Sequence, residues 1–119
     1  SIYNQNHAVV MTSASKESVG IISSVNRAAC EMFGYSAEDM IGRNVAIIMP
    51  EPFRSRHDQF LLAAADNLFG KVGFKRQLIG VRRNGYIFPL VLEVSDYVSD
   101  NTFFFSGVIV EIKTSDLFI

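Results

Sequence analysis

Short apolar runs rich in β-branched residues lie near the start of the chain, helical spacing dominates its centre, and hydrophobic and polar residues alternate with a period of two between residues 72 and 94. Two short β-branched runs, residues 8–12 and 19–25, flank a small polar turn and predict a hairpin. Three more strands are predicted at residues 72–83, 86–94 and 102–112, with turns at Asn84-Gly85 and at Ser99-Asp100-Asn101 between them.

Four helical segments are predicted between the two groups of strands. Asn26, Ser36 and Asn44 each have a side-chain oxygen that can cap a helix N-terminus, and Gly34 can end the first helix in a left-handed conformation. Two prolines follow, and because proline is tolerated in a first helical turn, the longest helix is predicted at residues 51–66. The order β-β-α-α-α-α-β-β-β predicts an α+β fold in which the helices cover one face of a five-stranded antiparallel sheet.

Composition narrows the classes of function that the chain can have. Its 119 residues, 49% of them hydrophobic, suit one domain that spans residues 1–119. The net charge of −1 argues against binding to nucleic acid or to a membrane surface, and no apolar run approaches the ~20 residues of a membrane span. Because Ser1 is not methionine, we expect the domain to be part of a longer protein. An intracellular location is expected as well, and a linker helix capped by Ser115 or Asp116 is expected to begin at residues 115–119.

The run NRAACEMFGYSAEDMIGRNVAIIMPEPFRSRHDQFL, residues 26–61, resembles the PAS sensor domains. More narrowly, it is similar to the haem-binding PAS domains of the FixL-type oxygen sensors. The later segments GVRRNGYIFPLVLEVS and FFSGVIVEI resemble the last strands of the same family. The motifs N-x-A, FGY, IG, MP and RxxG-x-x-FP occur in that order, which makes the PAS signature specific. The resemblance covers residues 8–114 and implies the fold that the pattern predicts.

His57 is the candidate iron ligand. On the predicted helix it shares a face with Phe60 and Leu61, so its imidazole is expected to face the sheet among apolar side chains that suit a porphyrin. The resemblance implies that His57 is the proximal ligand of haem b, with a small gas such as dioxygen at the open axial position. The alternative is a packed core histidine that hydrogen-bonds a backbone carbonyl.

Arg76 lies on the strand face that also carries apolar residues, where a charged group needs a partner. The resemblance implies that Arg76 contacts the bound gas or a haem propionate, and that Leu92 and Val94 line the gas pocket. A register slip of one residue would instead turn Arg76 to solvent. The chain departs from the FixL-type pattern at Ala63, where those domains have a propionate-binding arginine, and near Gly70, where they have a histidine.

A second hydrophobic surface is predicted on the sheet face that points away from the helices. The last strand is apolar on both faces, although an antiparallel sheet normally has one solvated face. Such a patch usually binds a partner, here a second copy of the chain in a homodimer or a flanking helix. The alternative is a set of scattered β-prone surface residues. The predicted interface residues are Ile79, Val91, Phe104, Val108, Val110 and Ile112.

These patterns favour a sensory or interaction module that regulates an effector elsewhere in its parent chain, and they do not favour an enzyme. The sharper hypothesis is a haem-based oxygen sensor. The alternatives are a cofactor-free dimerisation module and a pocket for another small molecule. Cys30 does not match the reactive cysteine of light-sensing flavin domains, and the sequence has neither a phosphate-binding loop nor a Ser/His/Asp arrangement.

Overall fold

The computed structural model describes residues 7–55 and 74–113, which contain an antiparallel sheet of five strands. Their order across the sheet is β2-β1-β5-β4-β3, so β1 joins the N-terminal hairpin to the three C-terminal strands. The predicted α+β fold with a five-stranded antiparallel sheet is therefore confirmed. The strands are β1 (Ala8–Ser13), β2 (Ile22–Val25), β3 (Phe74–Val81), β4 (Ile87–Ser99) and β5 (Thr102–Glu111).

β1, β3 and β5 end within two residues of their predicted ends, whereas β2 and β4 depart further from the prediction. β2 begins at Ile22 rather than at residue 19, because the chain turns there with Gly20 at a φ of 82°. β4 continues to Ser99, five residues beyond its predicted end at Val94, because its pairing with β5 extends to Thr102. The β4–β5 hairpin is therefore longer than the alternation of its hydrophobic residues predicts.

Three short helical segments follow β2. They are α1 (Arg27–Phe33), α2 (Ala37–Met40) and a 3₁₀ helix (Val45–Ile48). As predicted, a backbone N–H group at the N-terminus of each segment donates a hydrogen bond to the side chain of its N-cap residue, Asn26, Ser36 or Asn44. Gly34 ends α1 at a φ of 82°, which is the left-handed conformation expected of it.

Asn26 also ties α1 to the sheet. Its Oδ1 accepts hydrogen bonds from the backbone N–H of Ala29 at 3.0 Å and from that of Val9 at 2.9 Å. Its Nδ2 donates to the carbonyl oxygen of His7 at 2.8 Å. One side chain therefore caps the helix and fixes where β1 begins relative to it.

The β3–β4 hairpin uses a different turn from the one that Asn84-Gly85 predicts. Of the two residues only Gly85 has a positive φ, at 92°, and its N–H donates to the carbonyl oxygen of Arg82 at 2.9 Å. The Asn84 side chain accepts from the N–H of Tyr86 at 2.9 Å. This is a type I turn followed by a left-handed glycine, one of the next most common hairpin connections after the two-residue turn.

The core lies between the helices and one surface of the sheet, which we call the inner face; the opposite surface is the outer face. A Cβ at Gly80 of β3 would lie 2.7 Å from Leu90 Cδ2, so a larger residue there would force the buried Leu90 side chain to shift. The largest fully buried side chains are those of Phe33, Phe88, Ile22 and Met40.

Part of the predicted site falls on residues that the structure does not describe. The predicted helix at residues 51–66 is helical at residues 53–55, and its remainder lies outside the described residues. The predicted linker helix at residues 115–119 also lies outside them. So do His57, Phe60, Leu61, Ala63 and Gly70.

Candidate functional site

The register between β3 and β4 determines which face Arg76 occupies. Buried Phe88 pairs with Gly80, and four residues along each strand Leu92 pairs with Arg76. Cross-strand partners in an antiparallel sheet project to the same side, and even spacing keeps them there. Arg76 therefore belongs to the inner face as predicted, and the one-residue slip is excluded. Its side chain is exposed on that face.

Apolar side chains surround Arg76 on the inner face. Leu78, Leu92 and Val94 are half-buried, and Leu78 and Leu92 pack against the edge of the core. The Leu92 side chain leans over Gly107 of β5, since a Cβ added at Gly107 would lie 3.1 Å from Leu92 Cδ1. We call the surface formed by Leu78, Leu92, Val94 and Arg76 the inner floor. It is an apolar surface with one cationic group, which suits a flat apolar ligand that carries an anionic group.

Asp96 continues the inner floor toward the tip of the β4–β5 hairpin, and sequence reasoning missed it. It pairs with Phe105, which in turn pairs with Thr12, and both of these residues are buried. Asp96 is half-buried as a residue, and neither of its carboxylate oxygens is a buried atom without a partner. The period of two from Leu92 and Val94 would have identified Asp96 if the strand had been extended by two residues.

An ion pair at the opposite end of the sheet was also missed. Arg82 Nη2 lies 3.0 and 2.9 Å from the two carboxylate oxygens of Glu111, while Nη1 donates to the carbonyl oxygen of Met32 at 2.7 Å. The guanidinium also lies 4.2 Å from the centre of the Phe88 ring. We call this group the Arg82 clamp, since it joins the end of α1 to the end of β5. In the sequence the clamp is visible as an arginine and a glutamate that lie near the ends of two strands, 29 residues apart. No local pattern connects two residues at that separation.

A cleft of about 430 Å³ opens beside the Arg82 clamp. Its wall includes Arg83, whose Nη1 lies 3.1 Å from Asp39 Oδ2. Both arginines of the cleft thus have carboxylate partners, and the cleft lies at the far end of the sheet from Val94 and Asp96. The lining residues are Glu31, Gly34, Arg82, Arg83 and Asn84.

The predicted interface residues all lie on the outer face. Val91 pairs with Val110, and Val108 and Phe104 follow on the same side of β5 at even spacing. The Ser95–Ser106 pair separates Phe104 from Val108, so the surface has two apolar patches rather than one. Ile79 is exposed and the other five are half-buried. The set is Ile79, Val91, Phe104, Val108, Val110 and Ile112.

Among residues 7–55 and 74–113, neither a metal-binding cluster nor a membrane-spanning helix is found. In that part of the chain, no group of three or more His, Cys, Asp or Glu side chains is placed to hold a metal ion. Likewise, none of the helices described there combines the length and apolar character needed to cross a bilayer.

Comparison with known proteins identifies the family. The family model for the PAS fold matches residues 5–111. The chain belongs to the PAS family. A crystal structure of the PAS domain of an HTR-like protein from Haloarcula marismortui superposes with a TM-score of 0.74 at 15% identity, covering 89% of this chain and 81% of that one. The predicted PAS fold is thus confirmed by sequence and by structure.

Two curated relatives share more sequence with this PAS domain. Sensor protein FixL of Bradyrhizobium diazoefficiens is 37% identical over 91 residues, which is 76% of this chain and 18% of FixL. A probable serine/threonine-protein kinase of Dictyostelium discoideum is 32% identical over 101 residues, which is 84% of this chain and 7% of the kinase. The predicted resemblance to FixL is confirmed. The chain spans less than a fifth of either relative.

Proposed function

We propose that this PAS domain is a sensory module that binds haem b on its inner floor and regulates an effector elsewhere in a longer parent chain. The observation that carries the proposal is the inner floor itself, where Leu92 lies directly opposite Arg76 and Val94 is the next residue on the same face of β4. The 37% identity to a protein named as a sensor supports the same class of role.

The residues of the inner floor fit an amphipathic tetrapyrrole. Leu92 and Val94 present apolar surface and exclude water, and Arg76 provides a cation for a propionate or a donor for a bound gas. His57 is the proposed iron ligand, with Phe60 and Leu61 as its apolar neighbours. Haem held there would supply an iron that can take up a small gas such as dioxygen.

The strands β4 and β5 offer a route from the inner floor to the outer face. Leu92 and Val94 belong to the inner face, whereas Val91 belongs to the outer face of the same strand. A displacement of β4 by a ligand would therefore move both surfaces together. The displaced outer face would then move the second copy or the flanking helix that covers it.

Removal of the His57 imidazole tests the haem proposal. The purified domain is reconstituted with haemin, and its visible spectrum is recorded for the wild type and for His57→Ala. We expect a sharp Soret band at one haem per chain in the wild type and its loss in His57→Ala. His7→Ala removes the other histidine and serves as the matched control, which should keep the band. No stoichiometric uptake, or uptake that His57→Ala leaves unchanged, would contradict the proposal.

A second candidate function is a cofactor-free dimerisation module. It is favoured by the half-buried apolar patch of Val91, Val108 and Val110 on the outer face. Patches of this kind usually bind a partner, and the proposed partner is a second copy of the chain. In that case His57 would be a packed core residue.

Val110→Glu tests the dimer, because it would place an unpaired carboxylate in the apolar patch. We expect self-association to weaken at least about tenfold in sedimentation, since a charge in a dry interface costs more than 1.4 kcal/mol. Val98→Glu makes the same change at an exposed position of the hairpin tip and should have no such effect. A wild type that stays monomeric at high concentration would exclude the homodimer.

A further inference from the structure

The Asn84-Gly85 pair lies in the exposed turn between β3 and β4, away from the inner floor and from the predicted interface. The sequence contains no other asparagine that is followed by glycine. Asparagine is thermolabile, because the backbone nitrogen of the next residue can attack its side-chain amide. Glycine hinders that attack least, since it lacks a Cβ and changes backbone conformation freely. The turn is therefore a candidate site of spontaneous covalent modification.

The surroundings of the turn leave room for this reaction. Both residues are exposed, and a Cβ built at Gly85 would meet no atom of the described residues within 4 Å. Asn84 also forms part of the wall of the open cleft beside the Arg82 clamp. Water, which the second half of the reaction consumes, therefore has access to the Asn84 side chain and to the backbone on either side of it.

Two hydrogen bonds of the folded turn restrain the atoms that would react. The N–H of Gly85 donates to the carbonyl oxygen of Arg82 at 2.9 Å. The Oδ1 of Asn84 accepts from the N–H of Tyr86, also at 2.9 Å, which holds the side-chain amide in place. The Gly85 nitrogen must lose its proton and turn toward Asn84 Cγ before it can attack. The turn must therefore open locally before the reaction can proceed.

The other asparagines of the described residues lack this combination of features. Asn26 is followed by an arginine, and its side chain takes part in three hydrogen bonds that tie α1 to the sheet. Asn44 and Asn101 each precede a β-branched residue, whose Cβ substituents hinder approach to the backbone nitrogen. Among residues 7–55 and 74–113, Asn84 is therefore the asparagine best placed for this reaction.

We propose that Asn84 is a site of spontaneous deamidation and that opening of the β3–β4 turn limits its rate. The Gly85 nitrogen forms a bond to Asn84 Cγ, and the side-chain nitrogen leaves with the displaced proton as ammonia. Water then opens the cyclic imide at either of its two carbonyl carbons, so the products are aspartate and isoaspartate. Each product adds a carboxylate to the cleft that Arg82 and Arg83 line. Isoaspartate also lengthens the backbone within the turn.

Prolonged incubation of the purified chain at mildly alkaline pH tests the site. Ion exchange separates any acidic form, and tandem mass spectrometry of proteolytic peptides locates the residue whose mass has increased. We expect that residue to be Asn84, and we expect Asn84→Gln to lose the modification, because the longer side chain closes a ring far more slowly. Asn101 is the matched control in the same chain, since it too is exposed in a hairpin turn, and it should stay unmodified. Modification confined to other asparagines would overturn the inference.

Incubation in guanidinium chloride tests the role of the turn. The unfolded chain lacks both hydrogen bonds of the turn, so we expect Asn84 to react at least about tenfold faster there than in the folded chain. A synthetic peptide of residues 80–88, incubated with and without denaturant, corrects for any effect of the solvent on the chemistry. After that correction, equal rates in the folded and unfolded chain would overturn the control of the reaction by the turn.

Discussion

Phe33→Ala is expected to lower the free energy of unfolding by about 3–5 kcal/mol, the range for removing a fully buried phenylalanine. Phe33 ends α1, and its side chain is completely buried with its ring centre 5.7 Å from that of Phe88. Its ring also lies 3.4 Å from the position that a Cβ of Gly80 would take. Because helix and sheet both contact the ring, neither can close the cavity alone.

Urea denaturation followed by circular dichroism measures this loss. Phe53→Ala is the matched control, since Phe53 is 48% exposed, and it should cost less than about 1 kcal/mol. A loss below about 2 kcal/mol for Phe33→Ala would mean that the sheet and α1 relax together to fill the space. It would contradict a rigid contact between helix and sheet at this point.

The features that the sequence predicts best depend on neighbours in the chain. Helix α1 was predicted at residues 27–33 and occurs at Arg27–Phe33, because Asn26 and Gly34 define its ends through their own backbone and side-chain geometry. The period of two along β4 correctly placed Leu92 and Val94 with Phe88 on one face. These local patterns predict the folded structure well because the groups that interact are only a few residues apart in the chain.

The features that the sequence did not predict depend on distant partners. β4 extends past Val94 only because β5 pairs with it as far as Ser99, and polar residues there give no strong strand signal. Asp96 was missed for that reason. The second role of Asn26, as an acceptor for the N–H of Val9, likewise depends on a strand 17 residues away. Tertiary contacts decided each of these outcomes.

Disruption of the Arg82 clamp is expected to have the second-largest effect on stability. The side chains of Arg82 and Glu111 are 24% and 30% exposed, so the loss of one partner leaves the other charge partly buried and uncompensated. Arg82→Met should lower the free energy of unfolding by about 2–3 kcal/mol, because Met32 also loses the donor to its carbonyl oxygen. Glu111→Gln should cost about 1–2 kcal/mol.

A double-mutant cycle over Arg82→Met and Glu111→Gln isolates the interaction between the two side chains. We expect a coupling energy of about 1–2 kcal/mol by urea denaturation, well above that of an exposed pair. The cycle over Arg27→Met and Glu31→Gln is the control, since that pair is 90% and 68% exposed and should couple by less than about 0.5 kcal/mol.

Arg82→Lys distinguishes the geometry of the clamp from its charge. The two Nη atoms of Arg82 contact Glu111 and Met32 separately, and a lysine ammonium is a single point that cannot reproduce this spacing. Arg82→Lys should therefore recover less than half of the stability that Arg82→Met loses. Full recovery would show that charge alone stabilises this end of the sheet. Partial recovery would mean that the planar guanidinium holds α1 and β5 together.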